Sequence, residues 1–208
     1  LIKVAKTKKP VIISIGLANL KEVKLAIKTL KKNGCKKIII LKCVSSYPSP
    51  LDEQNLISIP ELKKKFGTLV GLSDHTLGMA APITSVILGA SLIEKHFNLK
   101  DNKKTVDSFF SLNHLDFKIM VREIRNSELS VGKIKFDISK SSKKNLNSKR
   151  SIYISKNIKK GDIITKNNIK VVRPNFGLHP KYFKKILGKK INKNLFFGDR
   201  MMLKFIVR

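Results

Sequence analysis

Four short apolar runs, each ending at a polar side chain and each followed by a helical pattern, restrict this chain more than any other feature. The runs are residues 10–14, 37–42, 68–72 and 91–94, and they are rich in Ile, Val and Leu. They are too short for buried helices and lack the strict alternation of a half-exposed strand, so they read as strands buried on both faces. Apolar residues at helical spacing fill 20–30, 59–66, 79–88 and 115–129. Asn19 stands as a cap before the first of these, Gly34 follows as a stop, and Pro82 falls in a first turn where proline is tolerated. Strands alternating with helices predict a parallel sheet. A doubly wound sheet and a portion of a (β/α)8 barrel both satisfy the pattern. No glycine-rich dinucleotide fingerprint follows any strand, and Gly16 stands alone after the first, which disfavours a nucleotide fold.

The pattern stops near residue 132. Residues 133–149 are rich in Ser, Lys and Asn, with few large apolar side chains, and read as a linker. A second, small β-rich module is predicted from 150 to 208, with strands at 151–154 and 169–172. Its segments 157–162 and 194–199 both begin with Asn and end in Gly-Asp, which hints at an internal repeat.

Composition narrows the possibilities further. Lys and Arg number 44 against 14 Asp and Glu, a formal net charge of +30. That invites a nucleic-acid reading. The arginines, which give bidentate phosphate and base recognition, are only Arg122, Arg125, Arg150, Arg173, Arg200 and Arg208. The lysines are spread along the whole chain, without interleaved aromatics for base stacking. Most of the charge therefore reads as solvated surface, and nucleic acid is not the expected partner. No apolar run approaches the ~20 residues of a membrane helix. The cysteines, Cys35 and Cys43, form no CxxC pair, so a disulfide scaffold or zinc finger is not expected and a reduced, cytoplasmic setting is. The first residue is Leu1 rather than methionine, which suggests a piece of a longer polypeptide.

The polar residues cluster at strand ends. Ser14 ends the first run, Cys43-Val44-Ser45-Ser46-Tyr47 follows the second, Ser73-Asp74-His75 the third, and Glu94-Lys95-His96 closes the fourth. In a barrel these C-terminal ends meet on one face, which holds the active site. His75 and His96 come from adjacent strands, and imidazole is the commonest metal ligand. Each alone reads more readily as a hydrogen-bonding loop residue. Together, with Asp74 and Glu94 beside them to add an oxygen ligand or orient an imidazole, they point to a divalent ion such as Mn²⁺ or Mg²⁺. Ser14 and Ser73 are candidates to donate to a phosphate, or to cap helices. Cys43 reads as a small core residue, and His114 and His179 as structural residues at helix starts.

Four motifs carry a resemblance. They are Lys9-Pro10-Val11-Ile12-Ile13-Ser14-Ile15-Gly16, Cys43-Val44-Ser45-Ser46-Tyr47-Pro48-Ser49-Pro50, Gly71-Leu72-Ser73-Asp74-His75-Thr76-Leu77-Gly78 and Ile93-Glu94-Lys95-His96-Phe97. Together they resemble the sialic acid synthase family. The second module, with Lys159-Lys160-Gly161-Asp162, Arg173-Pro174 and Leu187-Gly188-Lys189-Lys190, resembles the antifreeze-like (SAF) domain of those enzymes. Val106-Asp107-Ser108-Phe109-Phe110-Ser111-Leu112 and Gly177-Leu178-His179-Pro180-Lys181-Tyr182 look most like the pseudaminic acid synthase branch. The N-acetylneuraminate branch has asparagine where Ser45 stands.

The resemblance implies an α/β fold: the C-terminal half of a (β/α)8 barrel, four βα units over 1–132, followed by a small β-rich SAF domain. It implies metal-dependent condensation of phosphoenolpyruvate with an amino-sugar aldehyde, a 2,4-diacetamido-2,4,6-trideoxy hexose, releasing phosphate. His75 and His96 match metal ligands, with Mn²⁺ expected and Mg²⁺ or Co²⁺ as alternatives. Ser14, Ser45 and Ser73 match phosphoenolpyruvate contacts. Tyr47 and Asp107 match sugar-side positions, and Glu94 sits beside the metal. Arg173 matches an arginine that reaches the partner subunit's active site in a domain-swapped homodimer. The chain is expected to be inactive without a missing N-terminal half-barrel. Two alternatives are carried: an N-acetylneuraminate or legionaminate synthase, and a non-enzymatic basic SAF-domain binding module.

Overall fold

The alternation of β-branched runs with amphipathic segments folds into a curled parallel sheet covered by helices. The computed structural model describes residues 1–99 and 105–207. The elements of the first part are α1 (Ile2–Lys6), β1 (Val11–Ser14), α2 (Leu20–Lys32), β2 (Ile38–Cys43), α3 (Ser58–Phe66), β3 (Leu69–Asp74), α4 (Ala80–Ile87), β4 (Ile93–Lys95), β5 (Phe97–Asn98), β6 (Leu112–Asn113) and α5 (His114–Val131). The sheet order is β1-β2-β3-β4, all parallel, with Ser14 opposite Leu41, Cys43 opposite Ser73, and Ser73 opposite Glu94. Sequential order with helical crossovers is the half-barrel topology expected from the sequence.

Each helix begins and ends for a local reason. Asn19 Oδ1 accepts from the amides of Lys21 and Glu22, and Glu22 Oε2 accepts from the Asn19 amide, forming a reciprocal capping box. Gly34, at φ 97°, turns the chain out of α2. Val23, Ile27 and Leu30 of α2, Ile59 of α3, and Val11, Ile38, Ile40 and Val70 of the strands form one buried cluster. Each such side chain contributes about 1.5–3 kcal/mol of hydrophobic stabilisation. The opposite face of the sheet is covered only in part: Leu41 is buried there, but Ile12 and Leu69 remain half exposed, at 51% and 50%.

Three features go beyond the sequence reading. α1 precedes the first strand. β3 runs on to Asp74, so Ser73 and Asp74 lie within the strand rather than after it. Between β4 and α5 a further short strand, β6, pairs in parallel with β5, and the Leu112 amide donates to the His96 carbonyl. These segments of two to five residues are too short to show a period in sequence.

Contacts within the chain divide it into Leu1–Lys133 and Ile134–Arg208. The second unit opens with exposed residues that form a short helix, α6 (Lys140–Lys143), capped by the Ser139 side chain. Its core is built on β7 (Ser151–Ile154) and β8 (Ile169–Val172), which pair antiparallel, and on α7 (Phe183–Ile186). Ile152, Ile154, Ile158, Ile164, Ile169, Ile186, Ile191, Leu195 and Met201 are buried together. The repeated turns meet face to face. Ile158 and Leu195 form an antiparallel bridge. Asp162 accepts from the Lys159 amide at 2.9 Å, and Asp199 from the Phe196 amide at 2.8 Å. Asn194 accepts from the Lys160 amide and Asn157 from the Phe197 amide, both at 2.8 Å. Each turn thus supplies a hydrogen bond that the other needs.

Candidate active site

The C-terminal ends of β2, β3 and β4 bring together a serine, a glutamate, two histidines and a tyrosine. Side chains alternate along a strand, so Ser73 and His75 share a face with Glu94 and His96. Ser73 Oγ donates to Glu94 Oε1 at 2.6 Å across the paired strands. The His75 and His96 rings lie 5.2 Å apart between centroids. Tyr47 packs 4.3 Å from His75 and 6.0 Å from His96.

Nδ1 of each imidazole faces an oxygen, and at His75 the contact is a hydrogen bond. His75 Nδ1 lies 2.9 Å from the Val44 carbonyl. A carbonyl only accepts, so this nitrogen carries the proton and Nε2 keeps its lone pair. His96 Nδ1 lies 3.5 Å from Asp107 Oδ2. An imidazole held through one nitrogen by a carbonyl or carboxylate is the arrangement found at metal sites, and it leaves Nε2 to ligate. The donor chemistry of these two residues therefore fits a divalent ion. Among the described residues no third histidine, cysteine or carboxylate joins them to make a group of three.

Asp74 does not serve as that third group. The strand alternation turns it to the opposite face, where Lys95 Nζ lies 2.5 Å from its Oδ2 and the Thr76 amide donates to its Oδ1. Ser45 stands beside the loop after β1: a Cβ built on Gly16 would collide with Ser45 Oγ and lie 2.8 Å from Cys43 Sγ. Cys43 is buried, with its sulfur 3.9 Å from Ser45 Oγ and 4.0 Å from His75 Nδ1. Ser14 is exposed at the end of β1. Arg173 follows β8 directly in the second unit and is exposed.

One residue at the site, and one on the far face of β2, were not singled out from sequence. Phe110, 3% exposed, packs 4.7 Å from His96 and 5.8 Å from Tyr47 and completes an aromatic wall. Only the aromatic pair Phe109-Phe110 could have drawn attention to it. Lys42 is half buried at the end of β2 and donates to the Cys43 carbonyl. Burial pushes its pKa below the ordinary lysine value. One lysine among so many carried no signal.

Residues 1–136 match the NeuB family. The chain belongs to the NeuB family. Residues 149–199 match the SAF domain. The chain is 45% identical over 198 residues to a pseudaminic acid synthase of Campylobacter jejuni, covering 95% of this chain and 58% of that protein. It is 45% identical to a pseudaminic acid synthase of Helicobacter pylori, covering 93% and 57%. An N,N'-diacetyllegionaminic acid synthase of C. jejuni is 39% identical, over 92% of this chain and 58% of that one. The chain therefore spans somewhat over half the length of these relatives. Among solved structures, a spore coat polysaccharide biosynthesis protein of Bacillus subtilis superposes with a TM-score of 0.61 at 30% identity, covering 100% of this chain and 63% of that one. An N-acetylneuraminic acid synthetase of Leptospira borgpetersenii, solved with citrate, gives 0.62 at 30% identity, covering 70% and 50%. Among the described residues no helix is long and apolar enough to cross a membrane.

Proposed function

We propose that this chain carries the sugar-side and metal-side half of a pseudaminic acid synthase site. The reaction condenses phosphoenolpyruvate with a 2,4-diacetamido-2,4,6-trideoxy hexose in its aldehyde form. Carbon 3 of phosphoenolpyruvate attacks the aldehyde carbon, water adds at carbon 2, and phosphate leaves with cleavage of its C–O bond. The observation that carries this reading is the pair of adjacent imidazoles, His75 tethered through Nδ1, beside the Ser73–Glu94 hydrogen bond, in a chain 45% identical to enzymes of that name. His75 and His96 would hold the divalent ion, with Mn²⁺ the expected species. When bound, it supplies Lewis-acid polarisation of the aldehyde oxygen.

The chain's own residues do the rest. Ser73 is a donor already engaged with Glu94, so its hydroxyl turns to phosphoenolpyruvate only as Glu94 Oε1 releases that proton contact. Ser14 and Ser45 offer two further hydroxyls at neighbouring strand ends. Glu94 is the acceptor placed to take a proton beside the reacting carbons. Asp107, half exposed and with Oδ2 3.5 Å from His96 Nδ1, stands on the sugar side. Tyr47, with its ring against both imidazoles, gives the sugar a flat wall that also excludes water from the aldehyde. Arg173 is assigned to the site of a partner subunit in a swapped homodimer.

The half-exposed Ile12 and Leu69 on the partly covered sheet face support a further part of the reading: the site is completed by polypeptide beyond these residues, and the chain alone does not turn over. A chimera tests the proposal. This chain replaces the matching segment of the C. jejuni enzyme, and phosphate release is measured with phosphoenolpyruvate and a panel of 2,4-diacetamido, 2-acetamido and 6-hydroxylated aldehydes. Turnover of the 6-deoxy diacetamido stereoisomer that gives pseudaminate, in preference to the stereoisomer that gives legionaminate, is expected, and its loss in His75→Ala and His96→Ala. Preference for the legionaminate or N-acetylneuraminate precursor overturns the sugar assignment, and robust turnover by the 208-residue chain overturns the need for completion.

A further inference from the structure

The face of β3 and β4 turned away from the site carries the one ion pair among the described residues in which both side chains are buried. Asp74 and Lys95 are 0% and 1% exposed, and Lys95 Nζ lies 2.5 Å from Asp74 Oδ2. The other pairs lie at the surface. The strand register places Asp74 directly opposite Lys95. Two backbone groups of the next turn are drawn in as well: Lys95 Nζ donates to the Thr76 carbonyl at 2.7 Å, and Asp74 Oδ1 accepts from the Thr76 amide at 2.9 Å.

Sequence position gives this pair its meaning. Asp74 stands between Ser73 and His75, and Lys95 between Glu94 and His96. The backbone that presents His75 is therefore fastened on both sides, at Asp74 and at Thr76, to the residue that precedes His96. Stability alone is a poor account of it. Burying two charges costs desolvation that their attraction barely repays, and well-packed apolar residues often serve as well or better. The ladder between β3 and β4 already sets the register. What a charged pair adds is direction, since its hydrogen bonds reach the Thr76 peptide, which no apolar pair would hold.

We propose that Asp74 and Lys95 are positioning residues that fix His75 relative to His96. The function of that placement rests on the reading of the two histidines as ligands given above, whereas the placement itself is a property of the folded chain. Removing the pair loosens the turn around His75, which then rests on the Nδ1 contact with the Val44 carbonyl and on the Ser49 amide, which donates to the His75 carbonyl at 2.9 Å.

The double variant Asp74→Asn/Lys95→Met removes both charges and the reach across the strands, while the amide oxygen it introduces at position 74 still accepts from the Thr76 amide. The 208-residue chain is studied by thermal unfolding, by ¹H–¹⁵N correlation of the imidazole nitrogens, and by titration with Mn²⁺ alone. Wild-type His75 is expected in one tautomer, protonated at Nδ1. The folded double variant is expected to show exchange-averaged His75 nitrogens and Mn²⁺ binding weakened about 10-fold or more, the size of effect that residues behind metal ligands produce. A folded variant whose imidazole spectrum matches wild type overturns the proposal, whatever Mn²⁺ does. If the double variant fails to fold, Asp74→Asn, which keeps the side chain's length and an oxygen acceptor, is read in the same way. The ligand reading has its own arm: Mn²⁺ binding unchanged in His75→Ala and His96→Ala removes it without touching the imidazole result.

Discussion

Replacing Gly16 by alanine measures how closely the strand ends are packed. The added Cβ collides with Ser45 Oγ and lies 2.8 Å from Cys43 Sγ and 3.3 Å from Cys43 Cβ. Gly16 is not among the glycines at positive φ, so the backbone accepts alanine and the cost is steric. Ser45 can rotate aside. Cys43 has less freedom, because its sulfur already lies 4.0 Å from His75 Nδ1. Forcing one methyl into such a site costs about 1–3 kcal/mol. The unit Leu1–Lys133 has an unfolding entropy of about 0.28 kcal/mol/K, taking roughly 2.1 cal/mol/K per residue. The expected fall in Tm is therefore about 4–11 °C, read by far-ultraviolet circular dichroism of the helices α2 to α5. Ser45→Ala removes the worse of the two collisions, so Gly16→Ala/Ser45→Ala should recover more than half of the loss. A drop below about 2 °C, or no recovery in the double variant, would refute the packing argument.

Gly71→Ala is expected to be harsher, because its Cβ meets the Leu92 carbonyl and lies 2.6 Å from Leu41 Cδ2, and backbone cannot rotate away; the outcome to measure is loss of the cooperative helix transition. Lys42→Met is expected to raise Tm by about 1–3 °C at neutral pH. Burial lowers the lysine pKa from its ordinary 10.5, so the folded chain binds fewer protons than the unfolded one and the penalty is greatest below the lowered pKa. The advantage of methionine should fade as pH rises towards 10.5, and a gain constant with pH would assign it to packing instead. Ser151→Ala removes a buried hydroxyl that donates to the Pro174 carbonyl at 2.7 Å and accepts from the Gly177 amide at 2.9 Å. It should destabilise the second unit by about 1–3 kcal/mol, seen in the near-ultraviolet signal of Tyr153 and Tyr182, with the transition of the first unit unmoved.

The half-barrel was legible because its signal is repeated. Four continuous apolar runs each close on a polar residue, and parallel topology leaves few ways to arrange them. The convergence of the candidate site residues was legible for the same reason, since residues that end successive parallel strands must come together. What sequence could not separate is the two faces of a strand end. Asp74 and His75, or Lys95 and His96, are neighbours in the chain but point apart, and only the extension of β3 to Asp74 shows which side each takes. Asp74 thus looked like a ligand and is a partner of Lys95. Phe110 escaped because its value lies in contacts with His96 and Tyr47, both distant in the chain. The short strands β5 and β6 escaped because two residues carry no period.

The facing turns of the second unit bear on how that domain tolerates change. Neither turn can finish its hydrogen bonding alone: Asn157 completes the segment at Phe197, and Asn194 completes the one at Lys160. The intervening stretch carries β8, α7 and the buried Ile164, Ile169 and Ile186, so only its exposed connections behave as loops, and doubling one of those costs about 0.6 kcal/mol of closure entropy. Insertions in those exposed connections are therefore cheap, while exchanging either asparagine for a residue without an amide oxygen breaks one half of a mutual arrangement. Variation in this domain should accumulate as changes in loop length around two fixed asparagines.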